Sequence, residues 1–237
     1  MIVFCDGMPR SGSTWSFNVC RDLLESVSNH VYGGYHERTE EWLPVMGAGF
    51  EHAVIKTHFL DDAARALRRL GAAVSVYTHR DPCDAVVSCM MMFGQSFDAA
   101  LQTLAAALDV WRFEAALRGC QEVPYAAIAV QPYKSVEAIA RLLQTPCSPE
   151  LIADVEQRTR PDEMRRLAAA VDGVLYDPRT LLHRNHLRDG GTGYGRERLS
   201  QDQIAAIGEL TRSASPRRDN CSAILLRAAD GPVNTLR

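Results

Sequence analysis

A chain of 237 residues, 46% hydrophobic, is long enough to bury a substantial core and lies within the range of one domain. A formal net charge of -3, with no run of like charge, excludes a broad nucleic-acid surface or basic arm, so a bound anion must meet a local cluster of cations. No stretch approaches the roughly 20 apolar residues that span a bilayer. The seven scattered cysteines, without CxxC spacing, read as reduced thiols of a cytoplasmic protein, not as a disulfide frame or zinc site.

In chain order, MIVFC (1–5) is apolar and β-prone, a folded strand instead of a targeting leader. A helix is predicted from Thr14, with Cys20, Leu23, Leu24 and Val27 in helical spacing. Residues 30–52 mix aromatics, Gly and charge without a clean period, and predict a long loop holding at most a short helix. AVIKTHF (53–59) reads as a second strand, and Asp61 caps a short helix that stops at Gly71. AAVSVYT (72–78) is a third strand, followed by helices over 84–93 and 97–118, and AAIAV (126–130) predicts a fourth strand. The remainder is mostly helical, with Ser148-Pro149 as N-cap and N1, and Ser200 with Gln203 as a capping box. Strands alternating with helices predict an α/β fold, one domain over 1–237, with a central parallel sheet flanked by helices in three layers. Ligands of such sheets bind beyond the carboxyl ends of the strands.

GMPRSGSTW (7–15) falls at such an end, between a strand and a helix. A glycine-bearing loop there offers unpaired N–H groups and the positive end of the helix dipole to an anion. Gly12 permits close backbone approach, Arg10 adds a charge, and Ser11, Ser13 and Thr14 add hydroxyls. A nucleotide-triphosphatase loop would carry Lys after its last Gly, and this one does not. The third strand runs into Thr78-His79-Arg80, where a metal-holding Asp would otherwise stand. Phosphoryl transfer is therefore disfavoured, and a P-loop small-molecule kinase remains as an alternative.

Three stretches in order resemble the PAPS-dependent sulfotransferases of the cytosolic type, where PAPS is 3′-phosphoadenosine 5′-phosphosulfate. PRSGSTW (9–15) is similar to their 5′-phosphosulfate loop, P-K-[SA]-G-[ST]-[TN]-W. IKTHF (55–59) resembles the strand end that supplies a catalytic Lys and His. VYTHRDPCDAVVS (76–88) resembles the 3′-phosphate segment, with Arg80 and Ser88 at its eight-residue separation. HLRDGGTGYG (186–195) lies where the family has an Arg-Lys-Gly loop closing over the cofactor. The resemblance implies a P-loop-containing, sulfotransferase-like fold that moves a sulfuryl group from PAPS to a hydroxyl or amine of a small molecule, releasing PAP (adenosine 3′,5′-bisphosphate) without a metal. It places Arg10, Ser11, Gly12, Ser13 and Thr14 at the 5′-phosphosulfate, Trp15 on adenine, Arg80 and Ser88 at the 3′-phosphate, and Arg188 and Gly190 in the lid. Lys56 and His58 become the catalytic pair, with Arg10 assisting. Arg10 and Asp189 replace family lysines, and Val130 stands where a strand-end Tyr is expected, leaving the second adenine contact unassigned.

The residues suit that chemistry. Lys56 and His58, two apart on one strand, point to one face, and an imidazole near pKa ~6.5 is suited to general-base work. Lys56 is one of only two lysines among 26 basic residues, so a Lys at this apolar strand end is a pointed choice. Competing readings are plain: Trp15 as core, Arg80 paired with Asp81 or Asp84, 190–195 as an ordinary loop, and a non-catalytic nucleotide-binding protein on the same fold. Acceptor contacts fall to 30–50, 90–100 and parts of 160–185, with Tyr32, Tyr35, Trp42, Phe50 and Phe93 as an aromatic wall, or His36, Glu37, Arg38, Glu40 and Glu41 as a polar one. The oligomeric state is open.

Overall fold

The protein is described by a computed structural model covering residues 1–171, 176–184 and 191–214. Five parallel strands form one sheet in the order β2-β3-β1-β4-β5. They are β1 (Ile2–Cys5), β2 (Val31–Tyr35), β3 (His52–Lys56), β4 (Ala73–His79) and β5 (Cys120–Pro124). The helices are α1 (Ser13–Glu25), α2 (Thr39–Met46), α3 (Asp62–Arg69), α4 (Pro82–Phe93), α5 (Phe97–Ala115), α6 (Tyr125–Val130), α7 (Pro132–Leu143), α8 (Pro149–Arg158), α9 (Pro161–Ala169) and α10 (Gln201–Ala214).

Strand alternation divides the core in two. Phe4, Ala53, Ile55, Ala73 and Tyr77 face α3, α4, α5 and α10, whereas Val3, Cys5, Val54 and Val76 face α1, α7 and α8. The predicted three-layer α/β arrangement with a parallel sheet is thus the observed one. The predicted caps also form: Asp61 accepts from Ala64 N, Ser148 from Leu151 N, and Ser200 and Gln203 bond reciprocally. Asp81 caps α4, which begins at Pro82 instead of 84.

Two expectations fail. VYGGY, placed in the predicted loop, is strand β2, because its glycines leave room for neighbours. A Cβ at Gly33 would sit 3.0 Å from the Phe17 ring, and one at Gly34 2.8 Å from Tyr32 Oη. The predicted fourth strand at 126–130 is helix α6, as its alanines favour. The strand is the preceding CQEVP, an edge strand paired only with β4 and ending at Pro124.

A buried ion pair ties α3 to α5 on one face of the sheet. Arg68 and Glu114, side chains 1% and 0% exposed, meet through Arg68 Nε to both carboxylate oxygens at 3.0 Å and Nη2 to Oε2 at 2.6 Å. Arg68 Nη1 also donates to Ala73 O. Burial and the charge of Glu114 push the nearby Asp6 carboxyl well above the usual carboxylate range, and Ser75 Oγ donates to its Oδ1 at 2.7 Å. Arg68→Ala strands the Glu114 charge and is expected to cost roughly 3–5 kcal/mol. Urea denaturation checks this, and an Arg68→Met, Glu114→Leu double variant should recover most of the loss.

Candidate active site

β1 lies between β3 and β4, so the chain leaving it enters the crevice where connections diverge to opposite sides of the sheet. Gly7 is pressed against β4: a Cβ there would fall 2.4 Å from Thr78 Oγ1 and 2.6 Å from Thr78 O. Met8 N then donates to Thr78 O at 2.9 Å. Ser11 Oγ bonds Met8 O at 2.5 Å, and Thr78 O and Thr78 Oγ1 at 2.8 Å each. Ser11 is fully buried and its hydroxyl is spent on holding the loop shape.

Arg10 adopts φ 68°, unusual for a residue with a Cβ, and Gly12 adopts φ 100° as the left-handed N-cap of α1. The Ser11 N–H to Met8 O turn and a bond from Arg80 Nη1 to Arg10 O hold Arg10 in that conformation. Gly12 supplies no side-chain cap and the first turn of α1 has no acidic residue, so the positive end of its dipole is not met by a capping side chain of its own. Ser13 and Thr14 occupy that turn.

The predicted cations converge here. Arg10 Nε donates to Ser88 Oγ at 3.3 Å. Arg80 rises from the end of β4, 7% exposed, with its guanidinium between the rings of Tyr125 (4.5 Å) and Tyr194 (5.6 Å). Its Nη2 donates to Asp84 Oδ2 at 3.3 Å and Gly191 O at 2.9 Å, while its Nε is buried with no hydrogen-bond partner among the described residues. The pairing with Asp84 weighed above therefore exists, alongside an unsatisfied donor.

Lys56, at the end of β3, is buried with Nζ 4.9 Å from the centre of the Tyr35 ring. Burial, then the charge of Arg10, bring its pKa down to about 8. His58 follows two residues later, its Nδ1 3.0 Å from Gly7 O. A carbonyl can only accept, so Nδ1 carries the proton and Nε2 presents the lone pair. Burial, Lys56 and Arg10 press His58 to about 4, against the opposing Gly7 bond. Burial followed by the charges of Arg10 and Lys56 also lowers His183, a partly buried residue on the segment after Thr180.

The structure thus brings Arg10, Lys56, His58, Arg80 and Ser88 together beside Gly12, Ser13 and Thr14. Trp15 lies in the core, 6% exposed, with Val3, Cys5 and Ile128, its Nε1 without a partner. Arg188, Asp189 and Gly190 fall outside the described residues. Val130 ends helix α6, 76% exposed, and does not end a strand. Tyr125 takes that place directly after β5, beside Gly12, where a Cβ would lie 3.6 Å from its ring. Tyr125, Asp84, Tyr194 and His183 are site residues that sequence reasoning did not assign; reading Pro124 as a strand stop would have exposed Tyr125.

Of the aromatic wall, Trp42 is core, packed edge-on against Phe4. Tyr35 lies 6.3 Å from the His58 ring, whereas Phe93 is exposed at the end of α4. Among the described residues no helix is long and apolar enough to cross a membrane, and no cluster of three His, Cys, Asp or Glu could hold a metal ion.

No protein-family model and no curated protein matches the chain. Solved structures do. Retinol dehydratase in complex with androsterone and inactive cofactor PAP is similar at TM-score 0.67 and 16% identity, over 94% of this chain and 82% of that one. Mouse sulfotransferase SULT7A1 complexed with PAP is similar at 0.65 and 17%, over 88% and 82%. Retinol dehydratase with retinol and PAP is similar at 0.64 and 14%, over 93% and 83%. The chain has the sulfotransferase fold, with its P-loop-like strand–loop–helix at the centre of the sheet.

An imidazole neutral down to about pH 4 when folded, and titrating near 6.5 when unfolded, binds fewer protons in the native state between those values. His58 therefore subtracts stability as pH falls from 6.5 towards 4. An NMR titration should find the Nδ1–H tautomer with a midpoint near 4, moving upward in Lys56→Met; a midpoint at 6.5 or above contradicts this geometry.

Proposed function

We propose that the protein is a PAPS-dependent sulfotransferase that acts on a hydroxyl or amine of a small-molecule acceptor. The observation that carries the reading is the convergence of Arg10, Lys56 and His58 beside the loop entering α1, next to Arg80 with its orphaned, buried Nε. A buried donor without an acceptor is costly, and an anion at this spot would satisfy it. PAPS, when bound, supplies the sulfuryl group and leaves as PAP.

The chain's own groups divide the work. The N–H groups at the start of α1, with Gly12, Ser13 and Thr14, hold the 5′-phosphosulfate; Ser11 acts by fixing the loop. Arg80 and Ser88 hold the 3′-phosphate, with Arg188 and Gly190 contributed from the lid; Tyr125 is assigned to adenine, and Trp15, buried with Val3, Cys5 and Ile128, backs the loop from the core instead of stacking on the base. His58 Nε2 takes the proton of the acceptor. Its low basicity belongs to the unliganded site, where Lys56 and Arg10 press on it. A polyanion offsets both cations and moves the imidazole back towards neutral pH. The same anion raises Lys56 from about 8, so Nζ keeps its proton and, with Arg10, stabilises charge on the departing oxygen.

Two of the solved neighbours carry androsterone or retinol, which supports a small-molecule acceptor here, with the Tyr35 ring 6.3 Å from that of His58 as a candidate wall. The free Cys5, Cys20, Cys83 and Cys89, all buried, support a reducing, cytosolic setting.

Calorimetric titration with PAP, without magnesium and with ATP as comparator, tests the donor site. Arg80→Ala removes charge-assisted bonds of about 1.5–3 kcal/mol and should weaken PAP roughly 10- to 100-fold. His58→Ala should retain PAP affinity and lose about 10²- to 10⁴-fold in turnover. Magnesium-dependent ATP binding in place of PAP binding would return the site to the kinase reading.

A further inference from the structure

We infer that Asp84 is a positioning residue: its carboxylate pins the 193–195 backbone onto the first turn of α4 and sets the plane of Arg80, so that one buried side chain builds the selectivity for a nucleotide bearing a 3′-phosphate. This rests on the PAPS reading of the site.

Asp84 is 1% exposed and its carboxylate is committed on both oxygens. Oδ1 accepts from Gly195 N at 2.7 Å, and Oδ2 from Gly193 N at 2.8 Å and from Arg80 Nη2 at 3.3 Å. Two backbone N–H donors and a guanidinium on one carboxylate are charge-assisted bonds in a buried setting, the strong kind. The positive end of the α4 dipole adds to them, since Asp84 lies in the first turn of that helix.

The loop is shaped to receive this carboxylate. Gly193 adopts φ 87°, open to glycine at little cost. Gly195 packs so closely that a Cβ would fall 2.3 Å from Cys83 C and 2.4 Å from Asp84 N. Between them Tyr194 donates its hydroxyl to Asp84 O at 3.4 Å and lays its ring on Arg80. Arg80 then lies over two rings, those of Tyr125 and Tyr194, and is held at its terminal nitrogens by Arg10 O, Asp84 and Gly191 O. Nε is what remains to be satisfied.

A purely structural role for Asp84 as helix cap is already filled. Asp81 caps α4, accepting from Cys83 N at 2.8 Å and Asp84 N at 3.1 Å. The Asp84 carboxylate reaches instead across 109 and 111 positions of sequence to the loop.

The test compares PAP with 5′-AMP, which lacks the 3′-phosphate, by calorimetry on the full chain. In Asp84→Asn the amide nitrogen meets an N–H it cannot accept, and PAP should weaken by about tenfold or more while 5′-AMP changes by less than about twofold. Gly195→Ala leaves every charge in place but lifts the loop, and should give the same selective loss; it carries the test if Asp84→Asn does not fold. Asp81→Asn should lower the melting temperature without changing the PAP to 5′-AMP ratio. Folded Asp84→Asn and Gly195→Ala proteins that keep the wild-type ratio would overturn the inference alone. A wild type that does not prefer PAP to 5′-AMP would overturn the reading of the site beneath it.

Discussion

The site depends on one steric constraint: Gly7 lies so close to Thr78 that no side chain fits between β1 and β4 at that point. The joint fixes three things together. It aligns the loop through Met8 N and Ser11 Oγ, both bonded to Thr78. It places the first turn of α1 at the middle of the sheet. It also sets the Gly7 carbonyl where His58 Nδ1 donates to it, so the loop entering α1 itself selects the tautomer of the imidazole. Loop and base cannot drift independently.

Around that joint like charges are crowded. Arg10, Lys56 and Arg80 share a buried corner, and burial with mutual repulsion lowers both Arg10 and Lys56. Asp84 supplies a carboxylate bonded directly to Arg80, and it is shared with the 193–195 backbone. A region left cationic inside a chain of net charge -3 is a local choice against the general balance. It is the pattern expected of a preorganised anion site, where the protein bears the cost of crowding like charges before the ligand arrives.

Much of this was legible in the sequence because it is local. Gly12 ahead of a helical period, Lys56 and His58 two apart, and Arg80 and Ser88 eight apart are spacings within single strand–loop–helix units, and the structure assembles them at one sheet edge. What could not be read depends on contacts between distant segments. Strand β2 was hidden because Gly33 answers to Phe17 and Arg21 of α1, residues far from it in sequence. Tyr125 was hidden because AAIAV has β-like apolarity but helical alanine content, and the misplaced strand took the residue directly after β5 with it. Asp84 looked like a competitor for Arg80, and only the 193–195 backbone reveals that its carboxylate holds a loop as well.

The most direct test of sulfuryl transfer is radiolabel transfer from [³⁵S]PAPS to simple phenols and amines, in the presence of a chelator, with His58→Ala alongside the wild type. The account predicts labelled sulfate esters or sulfamates from the wild type, undiminished by the chelator, and a collapse in His58→Ala despite retained PAP binding. Tight PAP binding with no label transferred to any acceptor, or transfer indifferent to His58, would contradict it.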